Sequence, residues 1–403
     1  MNNKKLFLRK ILILRWEVDS PYLSLDLLRN FLDWFESRFD MIFAVFLNNT
    51  FPKKNFLEKL WPYPIISDHE IEMIASTEES DVVILSFTPP DKFYLNNSSK
   101  NIGFFTWNAP MPEDRSWVTR MNLMEEIWTS ALFLEEFLKK EDVTVPVRYI
   151  PCPIRALGGF NNSSRPERLS SSILLRSFSL VPGIIEEESS LESVRRLNKL
   201  LFCGKIELNP RKGLPLLIEE WLRSREREKD SALVLIPSEM VPISDQLNFL
   251  RRLLFSISSQ HELETSNIFV CIDSEVSSIL TPLAIQCDAF VTFSFGELLL
   301  GEILNVLSIG RPIICPRNSV FSEFFKPDYP YFLRTENENF CFSGSDESVP
   351  VSARWGVPFE DSFGEIHEML KTHVPTGQST SEALSAYARI VEQIDSSLAD
   401  IKL

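Results

Sequence analysis

The stretch DAFVTFSFGELLLGEILNVLSIGRPIICP, residues 288–316, decides how this chain is read. Its first run, "DAFVTFS", has the apolar, β-branched and aromatic character of a buried strand. After the acidic Glu297, "LLLGEILNVLSIG" carries a helical spacing of apolar residues, and the helix is expected to begin near Leu299–Gly301. Gly310-Arg311-Pro312 interrupts that pattern and leads into a second apolar run, "IICP". Strand, helix and strand in succession are the repeating unit of an α/β protein.

The same alternation extends outward. Upstream, "NKLLFCGKI", "SALVLIP" and "NIFVCID" read as strands, separated by the helical patterns "LPLLIEEWLRSRERE" and "QLNFLRRLLFSI". Nearer the start, "KILILRW", "MIFAVFL", "SDVVILSF" and "NIGFFTW" are short apolar runs, with the amphipathic "SLDLLRNFLDWFESRF" after the first. "MNLMEEIWTSALFLEEFLKK" then supplies helix, strand-like turn and helix, and "VPVRYIPCPI" closes the unit. The chain therefore reads as α/β, with two αβ units of mostly parallel sheet covered by helices. The expected organisation is an N-terminal domain over 1–156, a polar, Ser-rich linker or surface excursion over 157–197, and a C-terminal domain over 198–380. A last helix over 381–403 could pack back on the first domain. Two such domains predict a cleft at the carboxyl ends of their strands, where open α/β sheets bind ligands.

Bulk properties narrow the function. With 403 residues, 44% of them hydrophobic, the chain can bury about two to three cores. Its 31 Phe predict aromatic-rich interiors. A formal charge of −15 excludes general nucleic-acid binding, which needs phosphate-neutralising surface, but leaves room for a local basic pocket. The six Cys, at 152, 203, 271, 287, 315 and 341, form no CxxC pair, and several lie in apolar runs. They read as buried reduced thiols, and the four His residues have no metal-ligand spacing, so no metal site is expected. "MNNKKLFLRKILILRW" lacks the h-region and cleavage site of a signal peptide. No run of 18 apolar residues occurs, and the expectation is a cytoplasmic protein. The weakly basic "NNKKLFLRK" leaves peripheral contact with a membrane surface open.

Glycine usage locates the ligand. None occurs before Gly103, so the first strand–helix junction cannot carry a Gly-rich phosphate loop. A nucleotide is therefore assigned to the second domain. There, "CGKIELNPRKGLPLLIEEW", 203–221, puts Lys205, Arg211 and Lys212 on the loop between a strand and a helix. Cations at a helix N-terminus suit a diphosphate and the charge that grows on it as it leaves. The amides of the helix starting near Leu300 would face the same group, Glu297 would accept bonds from sugar hydroxyls, and Asn305 would reach a ribose. Read singly, the basic loop could be a solvated loop, Glu297 a helix cap and Asn305 a surface residue; their conjunction favours a site.

These residues resemble family 4 (group 1) glycosyltransferases of the GT-B fold, which implies two Rossmann-like domains facing each other across a cleft. That signature has a Glu, a Gly-rich turn, a second Glu eight positions on, and then Gly-Arg-Pro or similar. Glu297 stands at the first Glu and Gly310-Arg311-Pro312 at the end, while Gly204-Lys205 and Arg211-Lys212-Gly213 resemble the element that contacts the donor diphosphate. The likeness covers roughly 198–325 and, more loosely, 10–155, where Trp107-Asn108 stands at a Trp-Glu pair on the acceptor side. Departures are Lys205 for the usual Arg, Asn305 for the second Glu, Asn108 for the acidic member of the pair, and Leu298-Leu299-Leu300 for the Gly-rich turn.

The resemblance implies a retaining, metal-independent glycosyltransferase of glycan biosynthesis. It would move a sugar from a UDP- or GDP-linked donor to an acceptor hydroxyl, with no tightly bound cofactor. Lys205, Lys212 and Glu297 would act at the reacting centre. Gly204, Arg211, Ser294, Leu299, Leu300, Gly301 and Asn305 would bind the donor. The implied partners are the nucleotide sugar, a glycan, lipid-linked or protein acceptor, and a protein partner or second copy. The departures keep a second reading open, a catalytically silent GT-B protein serving as a partner or glycan-binding subunit of a glycosyltransferase complex.

Overall fold

The computed structural model describes residues 9–16, 31–32, 34–46, 63–77, 80–106, 115–151, 173–179, 187–208, 212–227, 230–238, 241–258, 265–272, 283–294, 301–339, 354–358 and 361–399. Two compact units emerge, one of residues 1–155 with 392–403 and one of residues 156–391.

The first unit is built on strands β1 (Arg9–Trp16), β2 (Met41–Phe46), β3 (Ser80–Phe87), β4 (Lys100–Phe105), β5 (Glu126–Thr129) and β6 (Val147–Tyr149). They form one sheet in the order β2-β1-β3-β4-β5-β6, parallel throughout. Its helices include α1 (Asp68–Ala75), α2 (Ser116–Met121) and α3 (Leu132–Lys140), and residues 31–32 and 34–36 are also helical. In β1, Ile11, Leu12, Ile13 and Leu14 are all buried, so both faces of the strand are covered. That is why it reads as an unbroken apolar run and not as an alternation.

Among the described residues, many aromatic side chains pack inside the first unit. Phe31 packs on Phe35, Phe87 and Phe104, and Trp34 meets Trp128 edge to face. Gly103 makes room for another ring: a Cβ there would lie 2.2 Å from the buried Phe93.

The second unit carries β7 (Leu174–Ser179), β8 (Glu188–Ser190), β9 (Leu200–Ile206), β10 (Ser231–Pro237), β11 (Thr265–Cys271), β12 (Ala289–Val291), β13 (Ile313–Pro316) and β14 (Phe332–Leu333). The sheet order is β14-β13-β12-β9-β10-β11-β7-β8. It is parallel from β14 to β11, whereas β7 pairs antiparallel with β11 and β8 antiparallel with β7. A separate hairpin pairs β15 (Thr335–Asn339) with β16 (Arg354–Pro358). The helices are α4 (Leu191–Leu197), α5 (Leu214–Arg227), α6 (Ile243–Ser258), α7 (Gly301–Ser308), α8 (Ser319–Phe324), α9 (Ser362–Thr376) and α10 (Gln378–Ala399). Gly377, at φ +73°, ends α9 and leads directly into α10.

The stretch expected as a polar linker, 157–197, differs from that expectation in its described part. Residues 174–179 and 188–190 are strands of the second sheet, and α4 follows at once. The reason is visible in "ILLRSFS". Ile173, Leu175 and Phe178 are buried while Leu174 is exposed, an alternation diluted by Ser and Arg. An ion pair holds α4 in place: the Arg195 guanidinium bonds both oxygens of the buried Asp288, which also accepts the Leu201 N–H at 2.8 Å. Residues 157–172 lie outside the described residues.

An aromatic cluster of Phe202, Trp221 and Phe363 surrounds the buried His367. Its ring nitrogens meet Ser224 Oγ at 2.9 Å and Ser231 Oγ at 2.6 Å, so the imidazole bonds to a hydroxyl at each end. Cys203, Cys271, Cys287 and Cys315 are buried, reduced thiols. Burial, joined at Cys287 by the adjacent Cys203 thiol, pushes the Cys287 and Cys315 thiols well up and keeps them protonated. Cys152 and Cys341 fall outside the described residues.

Candidate functional site

The site is built at one point of the second sheet. From β9 the chain moves outward to β10 and β11 on one side, then returns to lay β12 on the other side of β9. β9 and β12 thus flank the position where strand order reverses, and ligands of open α/β sheets bind outside the carboxyl ends at such a point. The two strands pair only as Ala289↔Phe202 and Phe290↔Cys203, whereas β9 stays paired with β10 through Ile206. They approach closely where the ladder ends, since a Cβ on Gly204 would stand 3.1 Å from the Val291 carbonyl oxygen. Lys205, half-buried, follows immediately.

The loop after β9 is locked to the end of β12. Gly213 adopts φ +68°, and a Cβ there would fall 2.3 Å from the Phe293 carbonyl oxygen. Only glycine fits this backbone-on-backbone contact at that φ. Helix α5 starts at the next residue, and its Leu217 N–H already bonds the Gly213 carbonyl at 2.9 Å. The pinned turn therefore sets Lys212 at the N-terminus of α5, beside the end of β12. Lys212 Nζ stands 3.4 Å from Glu207 Oε1.

The end of β12 is itself braced. Thr292 N–H bonds the Ile314 carbonyl at 2.9 Å, and the Thr292 hydroxyl accepts the Ser294 N–H at 3.3 Å. The Asn318 amide donates to the Ser294 carbonyl at 3.4 Å, and Ser294 is fully buried. Phe293 is buried beside Phe363, tying this turn to the core.

Of the residues expected at a donor site, Gly204, Lys205, Lys212 and Ser294 cluster around the carboxyl ends of β9 and β12. Gly301 opens α7, and Asn305, half-buried, lies on that helix with its carbonyl accepting the Ser308 hydroxyl at 2.7 Å. Helix α7 packs against β13. Arg211, Glu297, Leu298, Leu299, Leu300, Trp107 and Asn108 lie outside the described residues. Gly310-Arg311-Pro312 is a structural turn at the amino end of β13. Gly310 has φ +76°, and Arg311 Nη2 donates to the Ile285 carbonyl at 2.6 Å. Among the described residues no group of three or more His, Cys, Asp or Glu side chains could hold a metal ion, and no helix is long and apolar enough to cross a membrane.

Sequence reading missed Glu207, Thr292 and Asn318. Thr292 lies within the decisive stretch, but its role depends on the turn that only the fold reveals. Asn318, ahead of a helical run, would be read as a cap, yet it makes no side-chain cap bond there and reaches Ser294 instead.

No family model matches the chain, and no curated protein matches it in sequence. Solved structures do resemble it. A glycosyltransferase from Rickettsia africae ESF-5 superimposes with a TM-score of 0.65 at 10% identity, covering 97% of this chain and 96% of the other. An α,α-trehalose-phosphate synthase (UDP-forming) from Burkholderia vietnamiensis gives 0.57 at 9% identity, covering 97% and 100%. The N-terminal domain of Candida albicans trehalose-6-phosphate phosphatase gives 0.57 at 11%, covering 96% and 93%. Likeness over nearly the whole of each chain, with two sheets of largely parallel strands, gives this protein the GT-B fold.

Proposed function

We propose that the protein is a glycosyltransferase that takes a sugar from a nucleoside diphosphate donor bound at the carboxyl ends of β9 and β12. The observation that carries this reading is the Gly213–Phe293 backbone contact, which fixes Lys212 at the N-terminus of α5 beside the switch point. Two of the structural neighbours are a glycosyltransferase and a UDP-forming synthase, which supports the same chemistry.

In this reading Lys205, Lys212 and the N-terminal amides of α5 stabilise the diphosphate as the bond from the sugar C1 to its oxygen breaks. The acceptor hydroxyl oxygen forms the new bond to C1. Its proton passes to the departing phosphate on the same face, so configuration is retained without a protein nucleophile. No metal enters this scheme, because the two lysines and the helix amides supply the positive charge. Glu297, Arg211 and Leu299-Leu300 would complete the donor side, and Trp107-Asn108 the acceptor side. The acceptor would be a glycan, a lipid-linked sugar or a protein side chain. The two units, 1–155 with 392–403 and 156–391, would divide these tasks.

A second reading, a silent GT-B subunit serving a partner transferase, is favoured by Asn305 in place of the expected Glu and by the Leu298-Leu300 turn. A neighbour named as a phosphatase domain also shares the fold, so fold alone does not choose between the readings. Calorimetric titration with UDP, GDP and their sugar conjugates, with and without Mg²⁺, tests both. Saturable binding lost in Lys212→Ala, with sugar transfer from the bound donor, supports the enzyme. Cooperative unfolding with no nucleotide binding supports the silent subunit.

A further inference from the structure

We propose that Glu207 is a counter-ion latch on Lys212, which a diphosphate must displace to enter; this rests on the donor-site reading above. The two residues bracket the loop between β9 and α5. Their charged atoms stand 3.4 Å apart, with side chains 34% and 19% exposed for Glu207 and Lys212. The base of the lysine is held by the pinned Gly213 turn, while Glu207 directly follows the last residue of β9. The carboxylate thus pairs with the ammonium close to the strand end, where a donor phosphate would bind.

Repulsion between like charges governs the exchange. Two negative charges at contact distance repel more strongly at the effective dielectric of a protein surface than in bulk water. Glu207 and a diphosphate therefore cannot share Lys212 at contact distance, and the diphosphate binds as the carboxylate turns away. A doubly charged group can drive that exchange. An uncharged nucleoside gains nothing from it. Glu207 is a positioning residue in this role, setting the charge a ligand needs for entry. Without a ligand, it keeps the lysine paired in a half-buried setting.

The test is titration of wild type, Glu207→Gln, Glu207→Asp, Lys212→Ala and the Glu207→Gln/Lys212→Ala double variant with UDP and GDP, and with uridine and guanosine. Glu207→Gln is expected to tighten diphosphate binding about threefold to tenfold, the scale of a partly exposed ion pair and its repulsion. Nucleoside binding should stay unchanged, Glu207→Asp should behave as wild type, and the gain should vanish in the double variant. Binding that appears only in Glu207→Gln also supports the latch. A merely structural Glu207 would loosen diphosphate and nucleoside alike, and that result overturns the proposal. Equal or weaker diphosphate binding in Glu207→Gln, with Lys212-dependent binding intact in wild type, removes the latch and leaves the donor site standing. If neither wild type nor Glu207→Gln binds in a Lys212-dependent way, the donor reading and the latch fall together.

Discussion

Arg15 and Lys205 are each the last but one residue of the strand at which their sheet changes direction, β1 in the first unit and β9 in the second. Their surroundings differ in kind. Arg15 is buried, and its fork is fully engaged. Nε and Nη2 bond the two Asp68 oxygens at 3.1 Å each, Nη1 bonds the Lys92 carbonyl at 2.9 Å, and the guanidinium lies 4.5 Å from the Tyr94 ring centre. The second unit puts lysines at the matching edge, Lys205 half-buried and Lys212 in a longer contact with Glu207. A planar fork matched to a carboxylate is a joint, whereas an ammonium on a flexible stem can exchange partners. Position at a switch strand is thus shared by both units, and the choice of cation is what would separate structural use from the proposed ligand use.

The largest expected effect tests that separation directly. Lys212→Ala should lower sugar transfer by about 100-fold or more, the scale of losing one charge-stabilising group at a leaving oxygen, with the melting transition preserved. Arg15→Ala should do the reverse, losing about 2 kcal/mol of stability from its charged hydrogen bonds while nucleotide titration stays at wild-type values. A folded Arg15→Ala protein that no longer binds nucleotide would collapse the comparison, because both switch strands would then serve the ligand.

Arg195 sharpens the contrast within the second unit. Like Arg15 it grips one carboxylate with two nitrogens, and it does so at the amino edge of the sheet, since Asp288 precedes β12. Arg195→Ala leaves a buried carboxylate with the Leu201 N–H, and chemical denaturation should register a loss of about 2 kcal/mol. Nucleotide affinity of the folded variant should be unchanged, because the proposed donor site lies at the opposite edge.

Gly213→Ala probes the turn that sets Lys212. A left-handed φ for a residue with a Cβ costs about 1–3 kcal/mol, and here the Cβ would also meet the Phe293 carbonyl. Stability and nucleotide affinity should fall together. Gly103→Ala, whose Cβ would have its nearest contacts with Phe93 in the first unit, should cost about 1–3 kcal/mol as overpacking and leave the affinity alone.

Much of this fold was readable because both sheets bury their strands on two faces. β1, β3, β9 and β10 appear in the sequence as unbroken apolar runs, and the helices between them keep their period. β7 escaped because its buried positions alternate with Ser and Arg, so composition dominated over pattern. β8 is three residues of Glu and Ser, held by pairing to β7 with no apolar signal of its own. At the candidate site, Lys205 and Lys212 were legible from their neighbours in the chain. The Glu207–Lys212 pair and the Asn318–Ser294 bond were not. The first depends on how a loop folds back, and the second joins residues 24 apart across two strands.

The smallest expected effect concerns Asn305, where the sequence departs from the pattern it otherwise resembles. Its side chain can give and accept one bond to a ribose, while a glutamate at the same point on α7 could accept from both ring hydroxyls through charge-assisted bonds. Asn305→Glu should therefore tighten UDP or GDP binding about fivefold, equivalent to about 1 kcal/mol. The gain should shrink for a dideoxy nucleotide lacking those hydroxyls. Such selectivity would put the ribose beside α7 and make Asn305 a natural weakening of donor affinity, in contrast to the Arg15 joint, whose guanidinium is held by Asp68 and the Lys92 carbonyl. A gain of equal size for the dideoxy nucleotide would instead assign the effect to the diphosphate. A loss for both would mean that added negative charge on α7 faces the phosphates, and the proposed register of this helix against the donor would have to be abandoned.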